Sequence, residues 1–206
     1  GSSKNVSGEV WKIAEIRLKQ LEKSFEVSKN RHPVLRQFST ELDTEKITVI
    51  LGRSGCGKTT LLRILAGLES LDGGEILFEK QEKLGVVFQE PRLMPWLTLE
   101  QNILFGADKK KYSKNQLKER AEGLLKLTGL EKFGNAYPDQ LSGGMMQRAA
   151  LGRALACDAS YLLMDEPFAA LDHFTRQTMQ KEFLRICAEE RMGALFVTHS
   201  VDEALL

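Results

Sequence analysis

The stretch Ile47-Thr48-Val49-Ile50-Leu51-Gly52-Arg53-Ser54-Gly55-Cys56-Gly57-Lys58-Thr59 joins a short apolar run to a glycine-rich segment. The run 47–51 is rich in β-branched residues, which predicts a β-strand buried on both faces of a sheet. The segment 52–59 fits the pattern G-x-x-x-x-G-K-[ST] of a phosphate-binding loop. Leucines at helical spacing then predict a helix over 59–68. A strand, this loop and a helix in that order indicate an α/β fold.

Each residue type in the loop has a chemical reason to be there. Glycines let the backbone curl so that successive N–H groups point at phosphate oxygens. Lys58 offers a point charge to the β- and γ-phosphates of a nucleotide, and the Thr59 hydroxyl offers an oxygen to Mg²⁺. The alternative is a glycine-rich turn before a helix without a ligand. The candidate nucleotide-binding residues are Gly52, Arg53, Ser54, Gly55, Cys56, Gly57, Lys58, Thr59 and Thr60.

Two carboxylates follow another apolar run. Asp165 and Glu166 come directly after the predicted strand 161–164. In a protein with a phosphate-binding loop, a carboxylate at such a strand end holds Mg²⁺. A second carboxylate beside it can act as the general base for an attacking water. A solvated acidic turn is the alternative, and the matched loop upstream favours the catalytic interpretation.

The rest of the chain alternates strands and helices around one helical block. Between about 98 and 157 apolar residues follow helical spacing and no strand-like run appears. We therefore expect a single domain, with a core and β-subdomain over about 10–97 and 158–206 and a helical subdomain over about 98–157. Residues 1–3 have the composition of an expression-tag remnant. Further predictions are one or two strands around Ile16–Leu18, Leu21 and Phe25, a turn over 28–33, strands at 75–78, 85–88 and 194–198, and a long helix through Met179, Phe183 and Ile186.

Composition narrows the possible partners. The 206 residues include 29 basic and 28 acidic side chains, a formal net charge of +1, so no bulk charge attracts nucleic acid and none is expected as a partner. No apolar run approaches the roughly 20 residues that span a bilayer. The three cysteines, Cys56, Cys157 and Cys187, match no metal-binding spacing and predict reduced thiols in a cytoplasmic protein.

Leu141-Ser142-Gly143-Gly144-Met145 makes the interpretation more specific. Together with the phosphate-binding loop before it and Asp165-Glu166 after it, this run resembles the signature of the ATPase subunits of ABC transporters. The resemblance covers roughly residues 18–206. It implies a P-loop NTPase core of the RecA-like type, with an antiparallel β-subdomain of the ABC type and an inserted α-helical subdomain.

The resemblance also assigns roles to single residues. It implies that Gln89 links Mg²⁺ and the attacking water, and that His199 acts near the γ-phosphate; with Glu166 these form the catalytic set. Phe25 stands where the family stacks an aromatic ring on adenine, and Asp172 stands in the loop that communicates between subunits. The implied metal ligands are Thr59, Gln89 and Asp165. Alone, Phe25 or His199 would more simply be a core or solvated side chain, but their joint order with the other motifs favours the family roles.

The signature has a physical rationale of its own. Ser142 is a favoured N-cap, and the free N–H groups at a helix start bind anions. The nucleotide phosphates already have a cradle in Gly52–Thr59. A second anion site on a separate subdomain makes sense when it serves the nucleotide of another subunit. The sequence therefore predicts a head-to-tail homodimer that closes on two ATP molecules and opens after hydrolysis.

The segment Phe88–Thr98 indicates the subgroup. Its prolines and apolar side chains, including Trp96, resemble those of nitrate, sulfonate and taurine importer ATPases, as does Met145 in the signature. That resemblance implies a membrane permease bound near 89–105, a solute-binding protein in the wider complex, and a location on the cytoplasmic face of the cell membrane. The alternatives are a soluble ABC ATPase without a transport role and a non-hydrolysing ABC-like subunit, although Glu166 and His199 argue against the latter.

Overall fold

The computed structural model describes residues 15–80 and 82–204. The expected tag remnant at 1–3 and the expected start of the core near 10 lie outside the described residues. The strands are β1 (Glu15–Val27), β2 (Asn30–Asp43), β3 (Ile47–Leu51), β4 (Gly73–Phe78), β5 (Leu84–Val87), β6 (Tyr161–Asp165) and β7 (Gly193–Thr198). The helices are α1 (Lys58–Leu65), α2 (Leu99–Ile103), α3 (Lys114–Leu127), α4 (Gly143–Ala156), α5 (His173–Glu190) and α6 (Val201–Ala204).

Four strands form a parallel sheet in the order β3-β7-β6-β5. The register pairs Leu51 with Thr198, and Asp165 with Val197. Because all four strands run the same way, their carboxyl ends lie along one edge of the sheet. Ligands of open α/β sheets bind outside that edge.

Side chains of the two central strands alternate between two apolar layers. Tyr161 and Leu163 of β6 belong to a core cluster with α1, which supplies Leu61 and Leu65. Leu162 and Met164 belong to the opposite cluster, which includes side chains of α5. Phe168 in that second cluster lies 5.6 Å, between ring centroids, from Phe196 of β7. Every residue of β6 and β7 is buried, as expected of strands covered by helices on both faces.

Strand β3 packs on both faces of the sheet but is less buried than predicted: Ile50 packs against the first cluster, and Ile47 and Val49 pack against the second. All five of its residues are half-buried or exposed, and Leu51 is 47% exposed. In the part of the chain that the structure describes, β3 is the outermost strand of the parallel sheet, so it has a strand neighbour on one side only.

The second sheet is antiparallel, in the order β2-β1-β4. The predicted turn over 28–33 is confined to Ser28 and Lys29, whose φ angles of 51° and 66° suit a two-residue hairpin. Residues from Asn30 onward already pair with β1. Pro33 obscured this strand in the sequence, and the structure tolerates it because β2 lies at the edge of the sheet.

Helix α1 is shorter than predicted. It ends at Leu65 rather than Leu68, because Gly67 takes a φ of 70° and reverses the backbone. Leu68 beyond it is 60% exposed and does not continue the buried face of the helix.

Residues 98–157 form helices α2, α3 and α4 with three short 3₁₀ turns, and this fully described range contains no strand. Capping boxes begin α2 at Thr98 and α3 at Ser113. The block has an apolar core of its own, made of Leu99, Ile103, Ala107, Leu125, Leu130, Leu141, Ala149 and Ala156. The predicted helical character of this region is confirmed.

A buried asparagine fixes the irregular segment before α2. Asn102 is fully buried, and its Oδ1 accepts a hydrogen bond from the Met94 amide at 2.7 Å. Its Nδ2 donates to the carbonyls of Met94, Leu97 and Thr98 at 3.0–3.1 Å. One side chain thus satisfies backbone groups along residues 94–98, which have no regular secondary structure to pair them.

Asn102→Ala should lower the free energy of unfolding by about 2–4 kcal/mol, because a fully buried side chain and its four hydrogen bonds to partly buried backbone groups are lost at once. Chemical denaturation followed by circular dichroism measures this loss. Asn135→Ala is the matched control, since Asn135 is exposed in the same helical block, and its effect should stay within about 0.5 kcal/mol. Equal effects for the two variants would contradict the role of Asn102.

Candidate nucleotide-binding site

The glycine-rich loop lies between β3 and α1, at the carboxyl edge of the parallel sheet. Gly57, the residue before α1, takes a φ of 102°, and a Cβ there would lie 2.8 Å from Val34 Cγ1. Only glycine fits this position. The Lys58 side chain curls back so that its ammonium donates to the carbonyls of Gly52 at 2.7 Å and Arg53 at 3.0 Å. Its positive charge therefore lies inside the loop.

Asp165 ends β6 behind the loop. The residue is buried, and the loss of solvent raises the pKa of its carboxyl above the ordinary value. A hydrogen bond with the Thr59 side chain acts in the opposite direction and favours the charged form. The structure thus brings together the carboxyl of Asp165 and the hydroxyl of Thr59, two of the predicted Mg²⁺ ligands.

Glu166 follows at once, with its backbone in the left-handed region at a φ of 46°. Its amide donates to the Val197 carbonyl at 2.9 Å, which ties it to β7. Its carboxylate meets two predicted site residues. The side-chain amide of Gln89 donates from Nε2 to Glu166 Oε2 at 3.3 Å. The other oxygen, Glu166 Oε1, lies 2.7 Å from Nδ1 of His199. The ends of three adjacent strands thus converge on one carboxylate.

These groups line a single cleft of about 650 Å³. Its lining includes Phe25, Val34, Arg53, Ser54, Gly55, Gly57, Lys58, Thr59, Thr60, Gln89, Glu166 and His199. Phe25 is 36% exposed at the β1–β2 hairpin, and the Lys23 ammonium lies 5.2 Å from the centre of its ring. The structure therefore brings most of the predicted nucleotide and catalytic residues together. Gly52 and Cys56 belong to the same loop but do not line the cleft.

Sequence reasoning missed one lining residue, Val34, and one residue beside the cleft, Lys23, which contacts the Phe25 ring. Val34 lies on β2, the strand that was not predicted. Lys23 is buried beneath the hairpin, where its ammonium lies 2.7 Å from a Glu69 carboxylate oxygen. No local motif marks either residue, because both reach the site through the pairing of β1 with β2.

The signature residues lie apart from this cleft. Ser142 is the N-cap of α4, and its hydroxyl accepts a hydrogen bond from the Met145 amide at 3.3 Å. Ser142 and Gly143 are exposed, whereas Leu141 is buried in the core of the helical block. A Cβ on Gly144 would lie 3.3 Å from the Ala170 carbonyl, so the start of α4 lies against the loop after β6.

Asp172 ends that same loop as the N-cap of α5. Its carboxylate accepts a hydrogen bond from the Thr175 amide at 3.1 Å. The hydrogen bonds with Thr175 lower the pKa of Asp172, so the residue is an anion at neutral pH. Its side chain is exposed.

The donor set suits a nucleotide with Mg²⁺. The described residues contain no cluster of three or more His, Cys, Asp or Glu side chains arranged for a metal ion. The predicted ligands instead supply a hydroxyl, an amide and a carboxylate from Thr59, Gln89 and Asp165. Such oxygen ligands fit Mg²⁺, which keeps several waters and binds through one or two carboxylates plus substrate phosphates.

Comparison with known proteins agrees with this geometry. The sequence model of the ABC transporter family matches residues 35–169, well over half of the chain. The chain belongs to the ABC transporter family. The predicted fold class is thereby confirmed, with a P-loop core, an antiparallel sheet and an inserted group of helices. As a member of this family it is an ATPase.

Curated relatives of this ABC ATPase come from archaea and bacteria. An uncharacterized ABC transporter ATP-binding protein of Methanocaldococcus jannaschii is 46% identical, over 93% of this chain and 74% of its own length. The aliphatic sulfonates import ATP-binding protein SsuB of Bacillus thuringiensis is 42% identical, over 92% of this chain and 77% of its own length. The sulfate/thiosulfate import ATP-binding protein CysA of Caulobacter vibrioides is 43% identical over 92% of this chain, which spans only 59% of that longer relative.

Solved structures agree with the sequence relatives. The dimeric ATP-binding cassette MJ0796, in a post-hydrolysis state with ADP and Pi, superposes with a TM-score of 0.84 at 29% identity, over 92% of this chain and 90% of that one. A further dimeric structure of the same cassette gives 0.86 at 30% identity with the same coverage. Among the residues that the structure of our ABC ATPase describes, no helix is long and apolar enough to cross a membrane.

Asp165→Asn should raise the melting temperature of the nucleotide-free protein at pH 7. Burial raises the pKa of Asp165, so folding disfavours its charged form and stability falls as the pH rises through the folded pKa. The amide keeps an acceptor for Thr59 but carries no charge. The difference in melting temperature between the variant and the wild type should become smaller as the pH drops toward about 4, because the Asp165 carboxyl is protonated there. Scanning calorimetry at both pH values measures it, and a gap that widens at low pH would contradict this explanation.

Proposed function

We propose that this chain is the ATP-binding and ATP-hydrolysing subunit of an ABC importer, which powers the uptake of a small solute, such as the anion nitrate, an anionic sulfonate or the zwitterion taurine. The observation that carries the proposal is the cleft in which Phe25, the phosphate-binding loop, Gln89, Glu166 and His199 meet. ATP hydrolysis needs three parts, and the cleft offers each: an aromatic ring to stack on adenine, a loop to bind the phosphates and a carboxylate to activate water.

The loop binds and orients the triphosphate. N–H groups of residues 52–60 surround the phosphates, and the start of α1 adds its positive end. Lys58 exchanges its contacts with the loop carbonyls for the β- and γ-phosphate oxygens. Phe25, half-exposed at the hairpin, stacks on adenine. The chain contributes positioning and electrostatic stabilisation rather than covalent chemistry.

Glu166 acts on the attacking water. Water enters in line with the bond between the γ-phosphorus and the leaving oxygen, and the Glu166 carboxylate takes its proton. In the structure His199 and Gln89 both contact that carboxylate. Once the nucleotide is bound, they turn toward the γ-phosphate and the water and hold them in place. The products are ADP and inorganic phosphate.

The proposed Mg²⁺ ligands are Thr59, Gln89 and Asp165. When bound, the ion neutralises charge on the β- and γ-phosphates. Asp165 is suited to hold it because its carboxylate is desolvated and lies against Thr59. The chain's own part is to fix these oxygens at the rear of the loop.

Hydrolysis requires a second copy of the chain. The residues Leu141, Ser142, Gly143, Gly144 and Met145 lie outside the cleft, and we propose that they bind the nucleotide held by the partner copy. Three observations support this. Ser142 and Gly143 are exposed, α4 begins there with free N–H groups, and the similar cassette MJ0796 is dimeric. Asp172, which is exposed at the start of α5, is proposed to connect the two halves.

The docking site for a membrane permease is proposed at 89–105. Trp96 is 70% exposed and Phe105 is 54% exposed, so this segment presents two large apolar side chains that a partner could cover. The import functions named for the sulfonate and sulfate relatives support the transport role. Binding to a permease would hold this chain at the cytoplasmic face of the membrane, with a solute-binding protein completing the complex.

The same division of labour supports the predicted domain organisation. We propose a single ABC domain over residues 1–206, with the cleft in the core and β-subdomain, about 10–97 and 158–206. The helical subdomain, about 98–157, carries the signature and part of the docking surface. The block has an apolar core of its own, and α4 joins it to the sheet, since Leu151 and Ala154 also pack in the cluster around Leu162 and Met164.

Glu166→Gln should lower ATP turnover by at least about 10²-fold, because the amide cannot accept the proton of the water. ATP binding should persist, since the phosphate-binding loop is untouched, and the unhydrolysed nucleotide should trap the dimer. Phosphate release and light scattering with ATP measure the two effects. Glu119→Gln, at an exposed site on α3, is the control and should behave as the wild type. Normal turnover in Glu166→Gln would remove this residue from the role of base.

Ser142→Arg should leave ATP binding within about twofold of the wild type but prevent the ATP-dependent dimer, because a bulky side chain fills the second anion site. ATPase activity should fall together with dimerisation. Equilibrium binding of a fluorescent ATP analogue and light scattering separate the two effects. Glu119→Arg places the same side chain on an exposed helix of the same block and should have no effect. Full activity in Ser142→Arg would contradict the shared site.

A further inference from the structure

Helix α4 reaches across to the segment that contains Gln89. The Gln147 Nε2 donates to the Phe88 carbonyl at 3.3 Å. The Arg153 guanidinium donates to the Pro91 carbonyl at 2.7 Å and to the Arg92 carbonyl at 2.9 Å. One helix therefore holds the backbone on both sides of Gln89.

Of the two side chains that make these contacts, Gln147 is buried and Arg153 is half-buried. Gln147 is 1% exposed, and its Oε1 has no hydrogen-bond partner in the described structure. Burial lowers the pKa of the Arg153 guanidinium, which stays charged and directs two N–H groups at neighbouring carbonyls. A planar guanidinium is suited to such a paired contact, whereas the ammonium of a lysine is not.

The segment held by α4 has an unfavourable backbone conformation and no regular secondary structure. Arg92 takes a left-handed φ of 46°, which is unfavourable for a residue with a side chain. Residues 88–94 have no helix or strand to pair their backbone groups. The Arg92 guanidinium lies 4.8 Å from the centre of the Phe88 ring and closes the segment on itself. Arg153 holds the carbonyl of the left-handed residue itself.

The same helix begins at Ser142. With 14 residues, α4 is a rigid rod of about 21 Å that carries the signature at one end and Arg153 near the other. We propose that Gln147 and Arg153 are positioning residues that fix Gln89, at the nucleotide of one chain, relative to Ser142, at the nucleotide of the partner chain. The inference rests on the proposed function of those two residues. A change at the γ-phosphate that moves Gln89 then moves the start of α4, and the reverse.

The kinetic test uses the full chain with Arg153→Met, Arg153→Lys and Gln147→Leu. Loss of the coupling should lower kcat for ATP hydrolysis about tenfold, with KM for ATP within about twofold, because Phe25 and the phosphate-binding loop are untouched. Arg153→Lys should recover part of the rate, since the ammonium reaches one carbonyl. Gln147→Leu conserves volume and keeps the test available if Arg153→Met folds poorly.

Arg120→Met is the matched control. The Arg120 guanidinium also donates to two neighbouring carbonyls in the helical block, those of Leu155 and Ala156, and it pairs with Asp158. Its loss removes at least as many contacts as the loss of Arg153 but leaves residues 88–92 alone. Arg120→Met should therefore lower the melting temperature without the selective fall in kcat.

A second readout does not depend on the proposed function. Hydrogen–deuterium exchange without nucleotide should speed up over residues 88–93 in Arg153→Met and Gln147→Leu, but not in Arg120→Met. Unchanged exchange there would overturn the inference even if turnover fell. Faster exchange together with kcat and KM that match those of the control would also overturn it. An inactive wild type, or a Glu166→Gln variant with normal turnover, would instead refute the proposed function and leave the exchange result to decide whether α4 holds the segment.

Discussion

Parallel pairing of β5, β6 and β7 is the constraint on which the site depends. Because the three strands are neighbours and run the same way, Gln89, Glu166 and His199 emerge at the same edge although they lie far apart in sequence. The fourth strand, β3, delivers the phosphate-binding loop to that edge, where the Gly52 amide donates to the Thr198 carbonyl at 3.2 Å. The catalytic geometry is thus a property of the sheet register. A shift of one residue in any strand would turn these side chains away from one another.

Outside the sheet, single side chains form the hydrogen bonds to backbone groups that regular secondary structure would otherwise provide. Asn102 satisfies the backbone of 94–98, and Arg153 holds the carbonyls of 91 and 92. Arg148 does the same for the loop after α3, where it donates to the Thr128 carbonyl at 2.7 Å. These contacts give hydrogen-bond partners to the backbone of an irregular segment that lies between the core and the helical block. Side chains of the helical block therefore fix the backbone conformation of the region that we propose faces the permease.

Local patterns made much of this predictable from the sequence. The strand, loop and helix around Gly52–Thr59 follow from residues next to one another, and so does the placement of Asp165 at the end of a buried strand. What sequence reasoning missed depends on distant partners. Strand β2 was hidden by Pro33, which only an edge position tolerates, and the half-exposure of β3 follows from its place in the sheet order. The contacts from α4 to the segment around Gln89 span about sixty residues, and no spacing rule reveals them.

The contacts of Lys58 bear on how the protein meets its nucleotide. Its ammonium already satisfies two carbonyls of the loop, and Gly57 is fixed by its packing against Val34. The cradle is therefore preorganised, and the conformational entropy of shaping it is lost when the chain folds rather than when ATP arrives. When the nucleotide binds or leaves, only the Lys58 side chain has to move between carbonyl and phosphate oxygens, and the backbone of the loop keeps its conformation. The binding free energy of ATP should therefore depend mainly on the contacts with its phosphates, because reorganising the loop costs little.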